Sequence, residues 1–357
     1  MSRPTLLILS LGELGTSLLE AVARADLFDT IIVASRDRKK AQARANNAAI
    51  GAGLEGLFPN IRSEELDFND PGFALKLREI SPDYIFTAPS LMPWWQTDNK
   101  GIELPFAAFT SLHLSLMSTL RAGMAQADCN AVWIGASYPD VINPVLNRTG
   151  FGPTCGIGNV QEPLPKIQSY VAAKMGCHAR DVKVQMVAQH AFEYHVLNAK
   201  TASELPPYLL RATVGDRDVT DIATEALYQP FDFPYDLHFN RVTASAGVQA
   251  LRALTSATPV DTHLPGIGTL IGGYPVTCCN GQFEITLPPA WSLDHAVATN
   301  EASLPWDGIS EVTSDGTIVY SDTTLAALHA LLGKAPDMLT PENAQAQAQV
   351  LLSAISG

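Results

Sequence analysis

Short apolar runs alternate with segments of helical spacing through the first part of the chain. Residues 5–10 (TLLILS) form an apolar run of strand length. Beyond Leu11-Gly12-Glu13-Leu14-Gly15, the apolar residues Leu18, Leu19, Val22 and Ala25 recur at helical intervals up to Phe28. Residues 30–34 are a second strand, parallel to the first because a helix crosses between them. The alternation continues with a helix at 39–52, a strand end at 66–68, a helix at 73–80, a buried strand at 84–88, a long helix at 106–125 and a strand at 131–134. This pattern predicts an α/β fold with a doubly wound parallel sheet over residues 1–150.

Past residue 150 the texture changes. Residues 163–176 have helical spacing, residues 182–187 alternate like a strand, and residues 201–245 mix short strands with proline-rich turns. A short helix is expected at 245–254. Residues 272–277 and 282–287 are strands about Asn280-Gly281, a dipeptide suited to a two-residue hairpin because both positions tolerate positive φ. Residues 309–312 and 317–320 flank Asp315-Gly316 in the same way. Thr340-Pro341-Glu342 is expected to open a final helix, with threonine as N-cap. The expectation for residues 151–357 is an α+β domain.

The 357 residues suit two domains at about 100–200 residues each. With 46% hydrophobic and 17% charged residues, the chain has ample core material and is not a disordered one. Its 36 acidic residues against 23 basic ones, a net charge of −13, exclude a general affinity for nucleic-acid backbones or anionic membranes. Its apolar runs are far short of the roughly 20 residues of a membrane span. The start, Met1-Ser2-Arg3-Pro4, lacks a signal-peptide pattern. Five cysteines, with Cys278 and Cys279 adjacent, make no disulfide framework. A cytoplasmic globular protein acting on a small molecule is expected.

The first turn reads Ser10-Leu11-Gly12-Glu13-Leu14-Gly15, a dinucleotide-binding G-x-G-x-x-G fingerprint with serine in its first position. Gly12 lets the backbone approach a pyrophosphate, and Gly15 lets the helix pack closely on the strand. The amides from Glu13 and Leu14 onward are donors at the positive end of the helix dipole. Such a Rossmann unit, when it binds NAD, usually carries an acidic residue about 20 residues past the glycines. This chain has Ala34-Ser35-Arg36-Asp37-Arg38-Lys39-Lys40 after its second strand. Ser35 and Arg36 fall where a 2′-phosphate would sit, with Arg38 and Lys39 close by, so NADP is the expected cofactor. Asp37 stands one position late for a ribose ligand and keeps NAD open. Ala88 and Pro89, ending the strand at 84–88, are expected along the same cofactor.

Further on, Asn143-Pro144-Val145 is followed by Gly156-Ile157-Gly158-Asn159, a helix ending Lys174-Met175-Gly176-Cys177-His178, and a strand leading into Gln189-His190. Downstream come Ser245-Ala246 on a helix, Gly272-Gly273-Tyr274-Pro275-Val276, and a hairpin ending Leu287-Pro288. This order resembles the lactate/malate dehydrogenase superfamily and spans most of the chain. The resemblance implies a Rossmann domain with a C-terminal α+β domain of that type, a nicotinamide cofactor and a homodimer. It places Asn143 near the nicotinamide and the substrate oxygen, and makes His190 the proton donor. A histidine suits that role because its ordinary pKa, near 6.5, lets it exchange a proton at neutral pH.

The departures from the pattern shape the expected substrate. The family's histidine-orienting aspartate aligns with Pro163, so Glu162, one residue away, is the substitute carboxylate; the family's carboxylate-binding arginine aligns with Lys166. Lys166 can bind an anion but lacks arginine's bidentate fork. The segment that should hold a mobile arginine has Trp94 and Trp95 instead, read as a loop anchor or as an apolar lid. The chain is also similar to glycoside hydrolase family 4, which implies a metal held by Cys155 and His190; the Gly-x-Cys-His motif of that family is missing, so metal is not favoured. His195, His178, Cys278 and Cys279 are expected to be structural. The leading expectation is an NADP-dependent oxidoreductase that reduces a carbonyl or imine on a substrate other than a simple 2-oxo dicarboxylate. The alternatives are a metal- and NAD-assisted lyase or glycosidase, and a cofactor-binding protein without catalysis.

Overall fold

The computed structural model describes residues 3–92, 101–197, 204–233 and 236–356. Five parallel strands, β1 (Thr5–Ile8), β2 (Thr30–Ser35), β3 (Ile61–Glu65), β4 (Tyr84–Thr87) and β5 (Val132–Gly135), form one sheet in the order β3-β2-β1-β4-β5. Side chains alternate across it. Leu7, Ile32, Ile85 and Trp133 face one core, while Leu6, Ile8, Ile31, Val33, Phe86 and Ile134 face the other.

Helices α1 (Glu13–Val22) and α2 (Arg38–Leu54) cover the second face, and α3 (Phe73–Ile80) and α4 (Thr110–Gln126) the first. The stripe Leu18, Leu19 and Val22 seats α1. Alanines alone seat α2: Ala41, Ala45, Ala48 and Ala52 are buried at helical spacing, so its backbone lies close to the sheet. This is the Rossmann-type sheet that the alternating pattern predicts.

The remaining chain adds α5 (Pro139–Arg148), α6 (Leu164–Met175), α7 (His190–Leu197), α8 (Thr220–Leu227), α9 (Asn240–Leu254), α10 (Leu293–Glu301), α11 (Leu304–Asp307), α12 (Asp322–Leu332) and α13 (Ala344–Ser356). Three antiparallel sheets accompany them: β6 (Val182–Val187) with β7 (Leu209–Val214) and β8 (Arg217–Asp218); β9 (Val260–Pro265) with β10 (Gly273–Cys279) and β11 (Gln282–Ile285); and β12 (Ile309–Val312) with β13 (Ile318–Tyr320) and β14 (Met338–Leu339). Asn280 and Gly281 both have positive φ, 50° and 77°, as the Asn-Gly hairpin between β10 and β11 requires.

Two of the three cores run across residue 150. One joins α4 to Ile309, Ile318, Leu351 and Ile355, and another joins α1 to α9 and β10. The third lies within residues 160–227. Among the described residues, no helix is long and apolar enough to cross a membrane.

Several elements depart from the sequence-based expectation. β3 begins at Ile61, not at 66, because its pattern of half-buried and exposed residues is that of an edge strand with no continuous apolar run. α5 runs through Asn143-Pro144-Val145, which was read only as a segment following a strand, with Pro144 inside the helix. α13 starts at Ala344; Thr340 and Asn343 instead exchange side-chain-to-amide hydrogen bonds in the preceding turn.

Candidate active site

At the C-terminal edge of the parallel sheet, the crevice lies where the strand order reverses between β1 and β4. Gly12 is the N-cap of α1 and brings no side-chain hydrogen bond, which leaves the first amides of the helix for a ligand. A Cβ on Gly12 would meet nothing within 4 Å, so the space above it is open. Gly15 is the opposite case: a Cβ there would lie 1.5 Å from the Ser10 carbonyl oxygen. Ser10 itself accepts the Ala88 amide at 3.1 Å, tying the end of β1 to the end of β4. The next carbonyl, that of Pro89, accepts the Ser137 hydroxyl at 2.7 Å. Glu13 is exposed in the first turn of α1, and Leu14 is half-buried.

After β2, the Ser35 hydroxyl accepts the Asp37 amide at 3.2 Å. The Asp37 carboxylate caps α2, accepting the amides of Lys39 at 2.9 Å and Lys40 at 3.1 Å. Its role is therefore local. Arg36 and Arg38 are exposed and make no ion pair among the described residues.

The chemistry-bearing cluster lies around His190, the first residue of α7. Its Nδ1 lies 3.0 Å from both carboxylate oxygens of Asp307. The imidazole packs 4.3 Å from the Phe106 ring and 5.1 Å from that of Tyr138, and 16% of the side chain stays exposed. Its Nε2 makes no hydrogen bond to another described residue. Asp307 also accepts the Tyr138 hydroxyl at 2.7 Å and the Gln189 amide at 2.5 Å. Burial alone would lower the His190 pKa, but the charge and hydrogen bond of Asp307, helped by Asp140 and Glu162, raise it above the usual value. Asp307 shows the reverse balance: burial pushes it up, and His190, Gln189 and Tyr138 together pull it below the usual carboxylate value.

Two further carboxyls stand beside this pair. Asp140, in the first turn of α5, is completely buried and accepts the Asn159 side-chain amide. Its other oxygen, Oδ1, is enclosed, and the His190 backbone N–H beside the carboxyl favours its charged form. Glu162 accepts the Thr243 hydroxyl at 2.6 Å and the Asn159 amide at 3.1 Å. Gly158 is indispensable to this arrangement, with a φ of +83° and a virtual Cβ 2.8 Å from Glu162 Oε1. Burial raises both carboxyls to about 7. Burial lowers the nearby His113 to about 4, so it is neutral.

Three site expectations need correction. Glu162 does not orient His190, since Nδ1 is held by Asp307 and the Glu162 oxygens are bound to Thr243 and Asn159. Lys166 is no anion receptor: its ammonium donates to the carbonyls of Val196 at 2.8 Å and Leu227 at 3.3 Å, closing the ends of α7 and α8, and burial lowers its pKa to about 8. Asn143 is fully buried one turn inside α5, its amide donating to the Gly135 carbonyl at 3.1 Å and its Oδ1 enclosed without a hydrogen bond among the described residues, so its side chain is turned into the core against Gly135. Directly after β5 the chain reads Ser137-Tyr138-Pro139, and a proline one helical turn earlier than Pro144 was the available signal. Asp307 was missed as well. It lies in Leu304-Pro305-Trp306-Asp307-Gly308, where proline early and glycine at φ 93° after the end mark a short, deliberate helix.

Cys155 is buried, with its thiol close to Cys278 and its pKa raised by burial, so it is not paired with His190. Among the described residues no three histidine, cysteine or carboxylate side chains are grouped to hold a metal ion. His195 stacks edge-on against Trp306 at 5.0 Å, next to Asp307. Trp94 and Trp95 lie outside the described residues.

The sheet order and the crevice are those of the fold shared by lactate and malate dehydrogenases. A lactate dehydrogenase from a Medee basin deep-sea metagenome library superposes with a TM-score of 0.62 at 12% identity, covering 86% of this chain and 97% of its own. Malate dehydrogenase from Plasmodium falciparum gives 0.59 at 10% identity, covering 86% and 96%. The lactate dehydrogenase of Cryptosporidium parvum gives 0.58 at 14% identity, covering 87% and 98%. No family model and no curated protein sequence matches the chain.

Proposed function

We propose that this protein is an NADP-dependent oxidoreductase that reduces a carbonyl or imine, with His190 as the proton donor. The observation that carries the reading is the His190–Asp307 pair beside the crevice, with Nδ1 held at 3.0 Å and 16% of the imidazole side chain exposed. The fold supports the cofactor class: similar structures include a malate dehydrogenase in complex with NADH and a lactate dehydrogenase complexed with lactic acid and nicotinamide adenine dinucleotide.

The residues present fit such a cofactor. The uncapped start of α1 at Gly12, Glu13 and Leu14, with open space above Gly12, suits a pyrophosphate. Asp37 is committed to capping α2, which leaves Ser35, Arg36 and Arg38 to meet the ribose end; a 2′-phosphate suits their charge. Ala88 and Pro89 would line its path across β4. Bound there, a reduced nicotinamide supplies hydride to the substrate carbon.

His190 supplies the proton. The negative charge of Asp307 favours the imidazolium and fixes Nδ1–H, so Nε2–H points to the substrate oxygen or nitrogen. Tyr138 and Gln189 hold Asp307 in place, and Phe106 excludes water from one ring face. The test is titration of the protein with NADPH and NADH, followed by tryptophan fluorescence, in wild type and Arg36→Ala. Tighter NADPH binding that Arg36→Ala weakens supports the reading; failure of both nucleotides to bind refutes it.

A further inference from the structure

Away from the crevice, a cavity of about 250 Å³ lies between α4, α12 and α13. Leu328, Leu332, Val350 and Leu351 give it apolar walls. It reaches the surface, since Val350 is 54% exposed and Lys334, also in its lining, is exposed. An apolar cavity of roughly 150 Å³ takes a benzene ring, so this one has room for a ring or short alkyl chain with a polar arm.

Two polar groups in the lining lack partners. Tyr320, at the end of β13, is 3% exposed, and its hydroxyl makes no hydrogen bond to a described residue; burial alone raises its pKa. Lys334 follows α12 and makes no ion pair among the described residues. A buried hydroxyl left unpaired costs free energy that a ligand's acceptor would recover. Both groups are donors, and a carboxylate is the ligand group that answers both.

The cavity also touches the supports of the His190–Asp307 pair. Ala108 lines it, and Phe106, on the same single turn Phe106–Phe109, packs 4.3 Å from the His190 ring. On the α12 wall, Leu328 lies one turn beyond Thr324, whose hydroxyl donates at 2.8 Å to the carbonyl of Gly308, the residue directly after Asp307.

We infer that this cavity is an effector site for a small monocarboxylate with an apolar body, held by the Tyr320 hydroxyl and the Lys334 ammonium, whose binding acts on the His190–Asp307 pair through the Phe106–Phe109 turn and Gly308. None of the lining residues belongs to the cofactor crevice, so the occupant is a regulator and not a substrate. The inference stands apart from the oxidoreductase reading, because binding is measured without cofactor.

Phenylacetate and its uncharged counterpart phenylacetamide serve as probes. Each is titrated calorimetrically into the full chain in wild type, Tyr320→Phe, Lys334→Gln and Ala346→Trp, the last filling the cavity from an exposed position on α13. The expected result is one site per chain that prefers phenylacetate at least tenfold. Tyr320→Phe is expected to weaken phenylacetate at least fivefold, Lys334→Gln to cut the preference at least fivefold, and Ala346→Trp to remove binding. If Tyr320→Phe does not fold, the two variants at exposed positions carry the comparison. The NMR signals of the His190 ring are expected to shift as phenylacetate saturates the wild type, and to stay in place when it is added to Ala346→Trp. No saturable binding at millimolar probe, equal binding of the amide, binding that survives in the folded Ala346→Trp variant, or His190 signals unmoved at saturation overturns the inference.

Discussion

At Gly12 the chain offers a ligand bare backbone: one strand, one turn and one helix within a few residues, with open space above and no side-chain cap. Around His190 the arrangement is the reverse. Tyr138 and Asp140 come from the start of α5, Glu162 from the approach to α6, Gln189 and His190 from the passage between β6 and α7, and Asp307 from far down the chain, and every one except His190 is buried. Binding a dinucleotide needs donors and room, which a local motif supplies. Holding a proton needs groups whose charges answer one another away from water, and only the folded chain brings those together.

The comparison is broken most directly at His190. His190→Asn is expected to lower turnover by about 10²–10⁴-fold, the usual contribution of a positioned acid, while NADPH binding stays as in wild type; steady-state rates and fluorescence titration read the two. Asp307→Asn is expected to cost about 10²-fold in turnover, in line with the loss of an orienting carboxylate. It also removes the charge that raises the His190 pKa, so activity that depends on the imidazolium is lost at a lower pH than in wild type; a pH–rate profile shows the shift.

At the other end, Gly15→Ala forces a Cβ onto the Ser10 carbonyl and is expected to destabilise the fold by about 1–3 kcal/mol in urea unfolding. Arg36→Ala is expected to weaken NADPH about tenfold, ~1.4 kcal/mol, and to leave NADH unchanged.

The smallest effect is on stability against pH. Asp140 and Glu162 are raised to about 7 in the folded chain, so the fold binds protons that the unfolded chain releases near pH 4. Their contribution is complete below that point and is lost as pH rises to about 7. His190, also raised, loses its contribution in the same direction, while Asp307, lowered, acts only in acid. Asp140→Asn should flatten the fall between pH 4 and 7, as unfolding curves at a series of pH values will show.

What the sequence made legible follows the same division. The parallel sheet, the glycine turn and both hairpins could be read because period, turn chemistry and strand length are local properties. His190 could be singled out from the order of segments around it. Its partner could not: Asp307 is separated from it by most of the second half of the chain, and only a short proline–glycine-bounded helix marked its place. Asn143 misled because Asn143-Pro144-Val145 resembles the family's segment after the strand, whereas Pro144 lies within α5, whose first turn already begins at Pro139. Lys166 misled because it aligns with the family's carboxylate-binding arginine, and its spacing alone does not show that its ammonium closes two other helices.

The central claim is that Asp307 sets the proton affinity of His190. The most direct measurement is an NMR titration of the His190 ring nitrogens in the wild type and in Asp307→Asn. The account predicts a wild-type pKa above 6.5 with the proton fixed on Nδ1, and a clear fall in the variant. A His190 that titrates at the same pH in both proteins would contradict it.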